Sequence, residues 1–312
     1  MNNPFPYSDT NKRFHTVDWE YKRRFGKKTV KIPLNAGLGC PNRDGTCGVG
    51  GCSYCSHSLS GEFAGNPKDS FERQFDEVKK LYSNKWNDFA CIAYLQAGTN
   101  THAPTPRLKE IYNAALDLPV VGLSISTRPD CIDSERLALL QEVAKKTHLT
   151  VELGLQTAND KTARRINRCH SFDDFVRGYT MLKSAGINVG VHIINGLPGE
   201  TYYDMMATAK AVADLAPQEV KIHLLHIISG TKMAQEYTAG GFKTLEKEEY
   251  INIVCDQLEI LPPKTAIGRL TGDGDRKTLV APLWSMDKRS VLNGIDKELA
   301  KRGTCQGSKY VN

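Results

Sequence analysis

Four cysteines fall in one stretch, Cys40-Pro-Asn-Arg-Asp-Gly-Thr-Cys47-Gly-Val-Gly-Gly-Cys52-Ser-Tyr-Cys55. Cys52 and Cys55 form a C-x-x-C pair with Tyr54 just before the last thiol, and Cys40 ends an apolar run that enters a Gly-rich loop. Thiolates grouped in this way are metal ligands. Three of them can hold three irons of a 4Fe–4S cluster and leave the fourth iron open to a small ligand, whereas four can close a tetrahedral zinc site. The zinc reading uses Cys47 as the fourth sulfur and, beside basic flanks, describes a nucleic-acid-binding module. The cluster reading leaves Cys47 out and keeps Cys40, Cys52 and Cys55.

A metal loop needs elements to position it. Runs rich in β-branched residues recur at Thr29–Leu34, Phe89–Gln96, Val120–Thr127, Leu149–Gln156, Asn188–Ile194 and Val220–Ile228, mostly apolar, as parallel strands covered on both faces are. Between them Phe71, Phe75, Val78 and Tyr82 recur at helical spacing, as do Leu137, Leu140 and Ala144. Ser171-x-x-Asp174 and Thr201-x-x-Asp204 read as capping boxes that open helices.

Six βα units predict an α/β fold, a partial (β/α)6 TIM-like barrel, with an open doubly wound sheet as the alternative. Both collect functional groups at the C-terminal ends of their strands. Polar residues stand at those ends, over 96–101, 126–130, 156–159, 195–200 and 229–231, and the cysteine loop follows the first strand onto the same side. His223 and His226, three apart on the sixth predicted strand, are expected on opposite faces. Beyond Thr231 the pattern changes to two helices, 246–261 and 286–302, around Pro262-Pro263 and a turn-rich 269–275. The expected division is a basic N-terminal extension over 1–28, the barrel over 29–231, and an α-rich C-terminal extension over 232–312 packed on the barrel.

Several segments recur in a characteristic order: Cys40 to Cys55, Tyr94-Leu-Gln-Ala-Gly-Thr-Asn-Thr101, Ser126-Thr-Arg-Pro-Asp130, Val151-Glu-Leu-Gly-Leu-Gln156, Ile166-Asn-Arg-Cys-His170, His192-Ile-Ile-Asn-Gly-Leu-Pro-Gly-Glu-Thr201 and Arg269-Leu-Thr-Gly-Asp273. In these the chain resembles the radical S-adenosylmethionine (radical SAM) superfamily, within its Elp3/coproporphyrinogen-dehydrogenase-like branch and a bacterial Elp3-like subfamily of it. The resemblance implies a 4Fe–4S cluster on Cys40, Cys52 and Cys55, with S-adenosylmethionine on the open iron. It also implies reductive cleavage to a 5′-deoxyadenosyl radical that takes hydrogen from a substrate carbon.

Contacts to S-adenosylmethionine are implied for Gln96 and Thr99, where the superfamily often has a Gly-Gly-Glu-like segment and this chain has no Glu. They are implied also for Ser126, where relatives often carry a carboxylate, and for Gln156 and Arg168, the latter pairing its planar fork with the cofactor carboxylate. Gly196, Gly199 and Glu200 fall in the segment that approaches the adenosyl group. Glu152 suits either a cofactor or substrate contact inside the barrel or a structural pairing with an arginine, and Arg128 either catalysis or an ion pair at a strand end.

The chain has 312 residues and a formal net charge of +6, and the excess sits at the ends: eight Lys/Arg against Asp18 and Glu20 over 12–31, and ten against five acids over 264–312. Such flanks suit a polyanion, since each neutralised phosphate releases counterions. No run approaches the roughly 18 to 20 apolar residues that span a bilayer, and Met1 to Thr10 shows no export signal, so a cytoplasmic protein with no membrane partner is expected. Cys47 and the five cysteines outside the Cys40–Cys55 stretch show no disulfide-framework spacing. The expected activity is that of a radical SAM enzyme modifying tRNA, on the C5 side chain of a wobble uridine, with an electron donor such as flavodoxin or ferredoxin. A porphyrin-like small molecule is the alternative substrate, and a zinc-stabilised nucleic-acid-binding protein the non-enzymatic alternative.

Overall fold

A computed structural model of the chain describes residues 5–59, 61–272 and 274–311. Six strands follow the predicted runs: β1 (Thr29–Leu34), β2 (Ala90–Leu95), β3 (Gly122–Thr127), β4 (His148–Gln156), β5 (Asn188–Asn195) and β6 (Glu219–Leu224). Three shorter ones come after, β7 (Ile227–Ile228), β8 (Ala266–Arg269) and β9 (Leu279–Ala281). The first six are parallel neighbours in chain order, β8 adds to β6 as a seventh parallel strand, and β7 pairs antiparallel with β9. The seven-stranded sheet curls into a half-barrel, the partial TIM-like fold expected, with one strand more than predicted.

Side chains of a strand alternate between faces, and here the two faces differ in chemistry. Ile32, Leu34, Leu95, Ile125, Leu153, Val191 and Ile222 share one buried core with Leu108, Leu140, Phe175 and Val212 of the covering helices. Each such side chain contributes about 1.5–3 kcal/mol on burial, so a one-residue slip of register would be costly. The alternate residues are polar: Lys31, Ser124, Ser126, Glu152, Gln156, His192, Lys221 and His223. The inner face is therefore a polar lining and not the apolar packing expected of strands covered on both sides.

Local signals set the helices. Both predicted capping boxes form, at Ser171 before Phe172–Ser184 and at Thr201 before Tyr202–Leu215. Helix Phe172–Ser184 sits so close to the short turn Pro129–Cys131 that a Cβ on Gly178 would lie 2.4 Å from the Pro129 carbonyl oxygen. The N-terminal helix Val17–Phe25 is capped by Thr16 and packs against both β1 and β8, the two edges of the sheet, with Thr16 bridged to Ile267. Helices Lys247–Ile260 and Lys288–Lys301 pack on each other beside the sheet. The segment read as α-rich, with turns between its two helices, thus also supplies β8.

The run 220–228 breaks after Leu224, whose successor Leu225 turns back to Asn195 through its N–H (2.9 Å). His226 therefore lies in a loop, and both it and His223 line the cavity described below, correcting the expectation that they face apart. Among the described residues no helix is long and apolar enough to cross a membrane.

Candidate active site

The cysteine loop leaves β1 and is pinned at several points. Asn42, fully buried, donates through Nδ2 to the Asn167 carbonyl (2.5 Å) and to Cys52 Sγ (3.6 Å). Asn167 donates in return to the carbonyls of Val49 and Gly51, and Ser53 N–H bonds to the Ile166 carbonyl. From the other side Gly98, at φ +79°, lets the β2 end approach until an added Cβ would stand 2.3 Å from the Leu38 carbonyl oxygen. Only glycine takes that conformation and that contact without strain.

Cys40, Cys52 and Cys55 line one cavity of about 310 Å³. Two of the thiols have a guanidinium beside them: Arg168 Nη1 lies 3.6 Å from Cys52 Sγ, and Arg43 Nη2 3.5 Å from Cys55 Sγ. Burial pushes the Cys52 thiol up, but the charge and hydrogen bond of Arg168, together with a hydrogen bond from Tyr54 and the charge of Arg128, hold its pKa below the ordinary value, which favours the thiolate. Arg168 Nη2 donates to the Gly154 carbonyl (2.5 Å), and its Nε is buried with no hydrogen-bond partner among the described residues. Cys47 is exposed, does not line the cavity, and meets Arg128 Nη2 at 3.5 Å. Arg128 itself forms an ion pair with Asp130 (2.8 Å) at the end of β3.

Gln96, Thr99, Ser126, Glu152, Gln156 and Arg168 all line the same cavity. Gln156 sits at a register shift in β4 with φ +74°, a left-handed conformation that costs a non-glycine residue about 1–2 kcal/mol and turns its side chain into the site. Gly196, Gly199 and Glu200 are not among the lining residues. Gly196 packs on Leu245, Gly199 on Arg165, and Glu200 accepts from Thr157 Oγ1 (2.5 Å).

Among the described residues Glu152 pairs with no arginine. Its Oε1 accepts from Lys31 Nζ (2.6 Å) and Ser124 Oγ (2.8 Å), and its Oε2 from Lys221 Nζ (2.5 Å) and His192 Nε2 (2.8 Å). Burial would raise its pKa, but Lys221 and Lys31 hold the carboxyl well below its usual range.

Sequence reasoning did not assign His192, Lys221, His223, His226 and Arg269 to the site, although all line the cavity. For His192, Lys221 and His223 the signal was present as basic or imidazole side chains at alternate places in otherwise apolar strands. A second, more open hollow of about 710 Å³ runs past Asp44, His102 and Arg136; it contains none of the thiols.

Among the described residues no three His, Cys, Asp or Glu side chains converge on one point as ligands of a single ion do. A cubane does not require that, since each thiolate takes a separate iron. Three cysteines on one cavity wall, two of them beside cations, fit the donor set of such a cluster.

Comparison with known proteins agrees in kind. Residues 34–212 match the family model of the Radical SAM superfamily, and residues 217–301 that of the Radical_SAM C-terminal domain. The uncharacterized protein YtqA of Bacillus subtilis (strain 168) is 50% identical over 99% of this chain and 97% of its own length. A tRNA uridine(34) acetyltransferase of Methanocaldococcus jannaschii is 30% identical over 61% of this chain, which spans only 35% of that protein. The solved structure of Elp3 from Methanocaldococcus infernus, lacking residues 1–46, superposes over 89% of this chain and 64% of its own, with a TM-score of 0.66 at 18% identity, a likeness of fold.

Proposed function

We propose, from the premise that this chain belongs to the Radical SAM superfamily, that its half-barrel cavity is the chamber of a radical SAM enzyme whose substrate is tRNA. In this reading Cys40, Cys52 and Cys55 hold a 4Fe–4S cluster and S-adenosylmethionine lies over Gln96, Thr99, Ser126, Gln156 and Arg168. When bound, the cluster supplies one electron, drawn from a donor such as flavodoxin or ferredoxin, to the sulfonium of S-adenosylmethionine.

The chain's own residues do the rest. Asn42, Asn167 and the glycines fix the cysteine loop, so that little rearrangement accompanies loading. Arg43 and Arg168 offset the negative charge of the thiolates. The apolar outer face of the sheet and its helices wall the chamber against water. The single observation that carries the reading is the placement of three thiols and the polar strand ends around one cavity.

The test is anaerobic purification with iron and sulfide analysis and electron paramagnetic resonance after reduction. Cys40→Ser, Cys52→Ser and Cys55→Ser should each lose the cluster signal, and Cys47→Ala should retain it. Stoichiometric zinc, or loss of iron in Cys47→Ala, would overturn the assignment.

tRNA is favoured as substrate by the likeness to a tRNA uridine(34) acetyltransferase over the barrel portion and by the basic ends of the chain. The reaction site we assign is the C5 side chain of a wobble uridine. Nucleosides of tRNA from cells with and without the protein should differ at that position. Neutralising Lys288 and Arg289 should weaken tRNA binding and flatten its salt dependence by about one unit of slope per lost phosphate contact. Identical nucleoside profiles would refute the tRNA reading.

A further inference from the structure

Two histidines of the inner wall face the chamber side by side. His192 of β5 stands opposite Lys221 of β6 in the register of the sheet, and His223 follows two residues along β6, so both imidazoles emerge on the same face of adjacent strands. Their rings are 5.1 Å apart between centroids, and both line the cavity.

Glu152 decides how His192 is protonated. With its carboxyl held well below the usual range, Glu152 is ionised and can only accept, so His192 Nε2, 2.8 Å from its Oε2, must carry the proton. Burial first, then the charge of Lys221, brings the His192 pKa down to about 4 despite Glu152, so the ring is neutral at pH 7. A neutral imidazole has one N–H, and Nδ1 is therefore left with a bare lone pair. No donor among the described residues meets that nitrogen, and 16% of the side chain remains exposed.

His223 is neutral as well. Burial comes first in depressing its pKa well below the ordinary value, and His192, Arg269 and Lys221 push the same way. Its Nε2 is buried with no hydrogen-bond partner among the described residues. With no neighbour to fix its tautomer, this ring can present either an N–H or a lone pair.

We propose that His192 and His223 recognise a planar amide or imide edge of the substrate, His192 Nδ1 accepting from the ring N–H and His223 donating to the adjacent carbonyl. Uracil has such an edge in its N3–H and flanking carbonyls. The inference rests on the proposed function in naming a uridine; the acceptor on His192 follows from Glu152, which acts as its positioning residue. The contact uses no free cation, since Lys221 is already paired with Glu152. Nor do β5 and β6 carry any of the residues assigned above to S-adenosylmethionine.

The test uses the full chain labelled with ¹⁵N-histidine, before and after cluster reconstitution. Ring signals are assigned through His192→Gln and His223→Gln or, where either does not fold, by substituting the others of the eight histidines in turn. At pH 7 His192 should show a protonated Nε2 and a bare Nδ1; a proton on Nδ1 overturns the proposal. Uridine and 3-methyluridine, in which a methyl replaces the N3 hydrogen, are then titrated separately. Uridine should move the His192 Nδ1 signal saturably, with a Kd of about 10 mM or tighter, and 3-methyluridine should bind about tenfold more weakly or less.

No saturable shift with uridine up to about 50 mM, or an equal response to both probes, overturns the proposal. So does loss of the uridine shift when the cluster-loaded chain is saturated with S-adenosylmethionine, because the acceptor then belongs to the cofactor. Uridine binding alongside identical tRNA nucleosides in cells with and without the protein leaves the recognition point standing and refutes the tRNA reading; altered nucleosides with no discrimination between the probes do the reverse.

Discussion

Glu152 holds the ammonium groups of Lys31 and buried Lys221, and replacing it by glutamine tests whether the inner wall is held electrostatically. In Glu152→Gln, Lys31 keeps Glu219 at 3.1 Å, but Lys221 loses its counter-charge while remaining 9% exposed. Removing one partner of a buried ion pair costs about 3–5 kcal/mol, because the other charge stays desolvated. An unfolding entropy of about 2.1 cal/mol/K per residue gives about 0.65 kcal/mol per degree for 312 residues. The melting temperature should therefore fall by about 5–8 °C at pH 7, read by circular dichroism on the cluster-free protein.

The pH dependence has a definite sign. Because the folded pKa of Glu152 lies below its value of 4.5 in the unfolded chain, its contribution is complete above that value and is lost as pH falls through the folded pKa. Glu152's own contribution should then close only in acid, while Lys221, brought down to about 8 by burial even with Glu152 beside it, sheds its proton more readily in the variant, so the gap should narrow as pH rises toward 8. Adding Lys221→Met to Glu152→Gln removes the stranded cation and should recover at least half the loss. A shift of less than about 1 °C in the single variant, or no recovery in the double, refutes the account.

Glu200 gives the opposite pH behaviour. Burial raises its pKa to about 7, so the folded state holds that proton more tightly and stability falls as pH rises from about 4.5 to 7. Glu200→Gln should match the native chain near pH 4.5 and melt higher at pH 8, by at most about 3 kcal/mol or 5 °C; a gap independent of pH would contradict this. Gly178→Ala forces a methyl onto the Pro129 carbonyl, and overpacking of this kind costs about 1–3 kcal/mol, so a melting temperature about 2–5 °C lower is expected. An unchanged melt would mean that the helix and turn can separate freely.

Much of this molecule can be read without coordinates because β-branched runs and capping boxes are local signals. The strand Thr29–Leu34 was predicted to the residue, and both Ser171 and Thr201 cap as their spacing implies. β8 was missed because Ala266-Ile-Gly-Arg269 is four residues long, with a glycine inside and a double proline shortly before; only its place beside β6 makes it a strand.

Nine of the twelve residues assigned to cluster and cofactor lie on one cavity, since strand ends in such a fold must meet. Gly196, Gly199 and Glu200 lie outside it, where the loop after β5 packs toward Leu245, Arg165 and Thr157. The inner wall was missed for a different reason. A lysine within an apolar strand reads as an edge or an error until its partners from three other strands are in view.

The seven strands do not close a ring, and the sheet ends in two rows of backbone groups at β1 and β8. Left bare, such borders invite pairing with another polypeptide. The helix Val17–Phe25 lies against both and acts as a stopper at the seam. The basic leader is therefore also a guard against self-association: cutting it away should make the remaining chain clump, even where every group of the chamber is intact.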